Sequence, residues 1–188
     1  MSLPPLPQFD DMYEGSKQRY LTQILETSFS DLSRLQALSA KIPIIQTNAA
    51  TQGNTGSAET TLYTFPVSTR NIKGSTWEIY VTAFGSFAGT NNTKELKLYL
   101  NNSVIYDSGA FAVNGGTWKI ESIIVWNGNN AQKNITTSIS SNGTFPTTVV
   151  YTTSSELFDT PTTVTLTGTG QATNDIVAQV MIVTTQVN

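Results

Sequence analysis

Asp107, Glu121, Asp159 and Asp175 fall near the ends of expected strands and are the residues best suited to acid–base chemistry in this chain. Two carboxyls held about 5–9 Å apart can hydrolyse a glycosidic bond. Nothing in the spacing of these four brings any two together, and each reads more simply as a solvated turn residue. The chain has no histidine and no cysteine. That removes the commonest general base, the commonest metal ligand, every thiol nucleophile and every disulfide. Gly168-Thr169-Gly170 has part of a dinucleotide loop but lacks the third glycine and a following helix, and Gly53–Ser57 lacks the lysine of a phosphate loop. The acids are too dispersed for a calcium loop. Sequons begin at Asn91, Asn101, Asn134 and Asn142, as chance provides in a chain this rich in Asn and Thr. Trp126 stands beside Asn127-Gly128-Asn129-Asn130, where an aromatic ring and amides could stack on and bind a sugar; Trp126, Asn127 and Asn129 are the candidate glycan contacts. No catalytic, cofactor-binding or metal site is expected.

Two unlike patterns meet at Pro43 and must position whatever this chain does. In residues 1–8, Pro4, Pro5 and Pro7 hold the chain extended. Asp10 and Asp11 then sit where acids favour a helix N-terminus. Tyr20, Leu21, Ile24, Leu25, Phe29, Leu32, Leu35 and Leu38 follow in steps of one, three and four residues, which predicts a helix that Pro43 ends. The best apolar seam contains Leu21, Leu25, Leu32 and Leu35, with Ser28 and Ser39 interrupting it. Alone in water such a helix is marginal, so these four leucines are expected to serve attachment or oligomerisation. Residues 43–58, with the run QTNAATQGNTGSA, are expected to be a linker.

Residues 59–188 alternate apolar and polar residues. Trp77, Ile79, Val81, Ala83 and Phe87 share one strand face, as do Leu96, Leu98 and Leu100, and as do Trp118, Ile120, Ser122, Ile124 and Trp126. Ile135 and Ile139 are expected to share a face in the next strand. Eight or nine strands separated by Asn/Gly turns, with no helical pattern between them, predict a mainly β chain: an antiparallel β-sandwich of jelly-roll type preceded by an N-terminal α-helix.

Composition narrows the partners. Charged residues make up 12% of the chain, against about a quarter in an ordinary domain, and the net charge is −3. No basic surface for nucleic acid is implied. The stretch MSLPPLPQFDD has no basic region followed by an apolar run, so synthesis without a secretory leader is expected. No apolar run reaches the roughly 20 residues of a spanning helix, and no membrane insertion is expected.

Residues 83–133 resemble a β domain that recurs in tailed-phage virion proteins. The likeness rests on Ala83, Gly85, Ala88, Asn92 and Lys94; on Lys97-Leu98-Tyr99; on Asp107-Ser108-Gly109; on Asn114-Gly115-Gly116 and Trp118; and on Gln132-Lys133. Asn174-Asp175-Ile176-Val177 is similar to the last strand of that pattern, so the resemblance extends over about residues 55–188. Separately, Gln18-Arg19-Tyr20-Leu21 after a Pro-rich tip is similar to the start of small phage fibre and neck proteins. The resemblance implies a structural virion component, commonly a homotrimer, with no catalytic residues. The expectation is a short trimeric fibre or spike, assembled in a host bacterial cytoplasm and attached to other virion proteins by residues 1–42. The alternatives are a capsid decoration protein and a module that recognises a host surface glycan.

Overall fold

The computed structural model describes residues 9–39, 43–67, 77–126, 132–140, 149–156 and 162–187, with helix side chains from 15 to 34. The chain divides into two compact units, Met1–Lys41 and Ile42–Asn188. The first contains one helix, α1 (Phe9–Ser39). The second is built of strands, in order β1 (Ile44–Asn48), β2 (Gln52–Gly53), β3 (Thr60–Val67), β4 (Trp77–Phe87), β5 (Thr93–Leu100), β6 (Ser103–Asp107), β7 (Phe111–Ala112), β8 (Thr117–Trp126), β9 (Gln132–Ser140), β10 (Val149–Ser154), β11 (Thr162–Thr169) and β12 (Ile176–Val187).

The strands form two antiparallel sheets. The larger runs β1-β12-β4-β8-β9-β10, with β2 also on β12; the smaller runs β3-β11-β5-β6, with β7 on β5. The pairs β1/β12, β3/β11, β4/β8 and β5/β6 nest one inside the next along the chain. That nesting is a long folded hairpin rolled into two sheets, the jelly-roll arrangement. The β9–β10 hairpin is an addition: it extends the larger sheet beyond the eight nested strands.

The core lies between the sheets. In β4 every odd residue from Trp77 to Phe87 is buried, as are Leu96, Leu98 and Leu100 of β5 and Trp118, Ile120 and Ile124 of β8. Their period of two is what a half-buried strand requires. Trp77 and Trp118 are core residues, exposed by 0% and 2%. The Asn101–Asn102 turn between β5 and β6 also forms, with Asn101 at φ 51°, a conformation Asn tolerates better than most residues.

Two stretches differ from expectation. Residues 43–58 are not simply a linker: β1 and β2 pair with β12, Ile45 opposite Thr184 and Gly53 opposite Val177. The Gln/Thr/Asn composition hides a short strand whose stability comes from its partner. In β9 the polarity is reversed. Gln132, Asn134, Thr136 and Ser138 are fully buried, whereas Ile135 is 46% exposed on the outer face. The side chain of Ile139 lies outside the described residues.

Gly85 shows how tightly β4 is packed. It pairs with Trp118 on one side and Ala178 on the other, next to an irregularity between Ala178 and Val180. A Cβ here would lie 2.1 Å from the Val177 carbonyl oxygen and 2.2 Å from the Trp118 ring. The bare backbone lets the indole lie across the strand and donate from Nε1 to the Ser86 carbonyl at 3.3 Å. Gly85→Ala is therefore expected to destabilise the β unit by about 3 kcal/mol, measured as a shift in the denaturant midpoint. A neutral outcome would contradict this packing.

Candidate assembly surface

On α1, the seam residues stand open. Leu21, Leu25 and Leu32 are 57%, 55% and 52% exposed, and Tyr20, Ile24 and Phe29 are exposed beside them. The side chain of Leu35 lies outside the described residues. Thr22 and Thr27 satisfy their hydroxyls locally, donating to the carbonyls of Gln18 and Gln23 at 2.9 and 2.8 Å. These two hydroxyls make no demand on a partner, which leaves the apolar side chains as the group that water disfavours.

The β unit has a second open surface. Across the outer face of the larger sheet, one cross-strand row reads Ile45, Thr184, Tyr80, Ile123, Ile135, Tyr151, from β1 to β10. Ile45, Ile123, Ile135 and Tyr151 are exposed, and so is Val149 in the adjoining row.

The carboxylates are spent on structure. Asp107 accepts from the Gly109 N–H at 2.7 Å, Glu121 pairs with Lys119 at 2.7 Å, and Asp159 lies outside the described residues. Asp175 is buried and closes one end of the sandwich. It accepts from the Gln171 and Ala172 N–H groups at 2.9 and 2.7 Å, from the Thr90 hydroxyl at 2.8 Å and from the Asn92 amide at 2.9 Å. Lys94, also buried, donates to the carbonyls of Thr90, Asn92 and Val113 at 2.8, 3.2 and 2.8 Å. Burial lowers the Lys94 pKa, and the nearby charge of Asp175 opposes that shift. Asn54 adds a third loop: its Oδ1 accepts from the Ile176 N–H, and its Nδ2 donates to Gly56 and Ala172. Gly170 packs where a Cβ would strike Asn54 and Asp175, so the Gly168–Gly170 run is part of this knot.

Much of the resemblance pattern also converges here. Ala88 N–H donates to the Asp175 carbonyl at 2.9 Å, and Gly115 N–H to the Ala88 carbonyl at 2.8 Å, with Gly115 and Gly116 both at positive φ. Ser108 makes its own tie, accepting from the Leu96 N–H at 2.8 Å. The arrangement ties the Asp175 carboxylate, the Lys94 ammonium and the Asn54 amide to one another's loops. No cluster of three or more metal-ligating side chains occurs among the described residues.

Of the proposed glycan contacts, Trp126 is half-buried and stacks on Trp77, with ring centroids 5.9 Å apart and planes 20° off parallel. Asn127 and Asn129 lie outside the described residues. Of the sequons, Asn134 is buried and Asn101 is tied to Thr163 and Glu156. Sequence reasoning missed the open row because its residues come from six strands; only the pairing register brings them into line.

No protein-family model matches the chain, and no curated protein matches it. Among solved structures, it is similar to the CBM2 module of the evolved Dit of Lactobacillus casei BL23 phage J-1, at 10% identity over 73% of this chain and 76% of that one, TM-score 0.39. It is similar to the lectin UEA-II complexed with galactose, at 9% identity over 77% and 92%, TM-score 0.37. It is similar to infectious bursal disease virus, Gt strain, at 12% identity over 77% of this chain and 42% of that one, TM-score 0.31. Likenesses this distant assign neither a family nor a ligand.

The knot has a pH signature. Burial alone would raise the Asp175 pKa, but the donors from Ala172, Asn92, Gln171 and Thr90 outweigh it and hold the carboxyl at about 2, below its ordinary 3.8. A depressed carboxyl contributes stability above its unfolded pKa and loses it as pH falls through the folded one. That contribution amounts to about 2 kcal/mol at neutral pH. Asp175→Asn is expected to lower neutral-pH stability by at least that amount, with the gap to the parent chain narrowing as pH falls from 4 toward 2. Chemical denaturation across that range checks it.

Proposed function

We propose that this chain is a structural component of a tailed-phage particle. It is a homotrimeric short fibre or spike, attached to other virion proteins through residues 1–42 and displaying the β unit. It works by assembly and not by catalysis, and it takes shape in the host bacterial cytoplasm. The observation that carries the reading is α1: a 31-residue helix in a compact unit of its own, with its apolar side chains exposed. Fully burying each Leu, Ile or Phe side chain contributes about 1.5–3 kcal/mol. Leu21, Leu25, Leu32, Ile24 and Phe29 together offset the cost of holding a helix that is marginal alone. The resemblance of residues 83–133 to a phage virion β domain supports the particle context, and Asp175 and Lys94 are engaged in holding loops together. A capsid decoration protein would use the same helix chemistry at another place on the particle; electron microscopy of labelled particles separates the two.

Sedimentation of the full chain is expected to give three copies. Leu21→Glu combined with Leu25→Glu is expected to give monomers that lose helical circular dichroism and keep the thermal transition of the β unit. A full chain that stays monomeric at its highest soluble concentration would sink the proposal.

A further inference from the structure

We infer that the outer face of the larger sheet, along the row from Ile45 to Tyr151, is a contact surface for a second copy of this chain. The inference rests on the oligomeric reading above and adds a second interface to it. The first observation is the reversed polarity of β9. A strand that buries Gln132, Asn134, Thr136 and Ser138 while turning Ile135 outward gains little from facing only its own core. In β10, Val149 and Tyr151 likewise turn outward, 72% and 58% exposed. Shifting a strand by one residue exchanges its two faces, so the register actually adopted is informative. It is the register expected if the outer face is covered too, as in sheets buried on both sides. The reversal sits in the one hairpin that is extra to the nested jelly roll, and that hairpin lengthens this row by two strands.

The occupant follows from charge, reach and area. The charged residues on this face are Glu78, Lys119, Glu121 and Lys133, two of each sign, and Lys119 with Glu121 is already paired. A neutral face meets its own copy without repulsion, whereas a strongly charged partner would find no complement. The row begins at Ile45, six residues after the last residue of α1. Six residues span at most about 21 Å, so helices that bundle bring several copies of β1 within that distance of one common end. Six strands at about 4.8 Å spacing and three same-face residue rows at about 6.8 Å cover about 600 Å². That is short of the roughly 800 Å² per partner of an interface that stands by itself. The face therefore closes between copies that the helices already hold together.

The cysteine-free chain provides the test. Single cysteines are placed at Ile135, at Tyr151 and, as an exposed turn control away from this face, at Asn102, each in the full chain. The rate of modification by a soluble thiol reagent is measured with and without Leu21→Glu and Leu25→Glu. In the oligomer, positions 135 and 151 are expected to react about tenfold more slowly than position 102, as residues at a desolvated interface do. In the separated chains the three rates are expected to converge. An oligomer in which position 135 reacts as fast as position 102 overturns this inference and leaves the helical assembly standing. A full chain that does not self-associate overturns both.

Discussion

One ammonium group held among carbonyl oxygens sets the frame for the β unit. Lys94 reaches the carbonyls of Thr90, Asn92 and Val113, and the Thr90 hydroxyl passes the contact on to Asp175. Four connections cross from one sheet to the other at this end: β2 to β3, β4 to β5, β7 to β8 and β11 to β12. Asn54, Thr90, Val113 and Asp175 each belong to a different one, and Lys94, at the start of β5, joins the second to the third. Leaving a buried charge unpaired costs several kcal/mol, so the four crossings are fixed together or not at all. The two sheets meet in one alignment because the loops that join them share a single polar centre.

That centre also explains which residues the sequence made legible. β4, β5 and β8 alternate cleanly because one face meets the core and the other meets water, and a period of two records that difference. β9 defeats the same reasoning. Its inner residues are polar and find partners there, Ser122 with Thr136 at 2.8 Å and Gln132 with Ser154 and Glu156 at 3.0 and 2.9 Å. Polarity then no longer reports burial, and the face shared by Ile135 and Ile139 in the sequence does not tell which way it turns. β1 and β2 were hidden because the β-branched residues Ile44, Ile45 and Thr47 are followed by Asn48-Ala49-Ala50 and a Gly/Asn-rich run; their order comes from β12. Leu21, Leu25 and Leu32 were legible as a seam because helical spacing needs only local sequence. Asp175 reads in the sequence as a solvated turn residue and is instead buried, because the loops that satisfy it come from residues some eighty and more positions away.

The two units solve opposite problems. At the Lys94–Asp175 end the β unit satisfies its buried polar groups with its own atoms and ties its loops to one another. The helix satisfies its backbone and leaves Tyr20, Leu21, Ile24, Leu25, Phe29 and Leu32 exposed. A chain without histidine or cysteine has few means of doing covalent chemistry, and this one spends its most perturbed carboxyl on holding loops. What remains available is surface, and the apolar part of that surface is concentrated on α1 and on the outer row of the larger sheet.

β12 carries a consequence for the order of events in the cell. It lies between β1 and β4 and joins residues as distant as Ile44 and Thr185. Until residues 176–187 are made, β1 has no strand partner and β4 has only β8, whereas α1 needs only local contacts and precedes them in the chain. Long-range pairings of this kind form slowly. α1 thus forms before the β unit closes, and a chain cut short before β12 cannot complete the larger sheet. The placement of a single late strand makes closure of the larger sheet wait on residues 176–187.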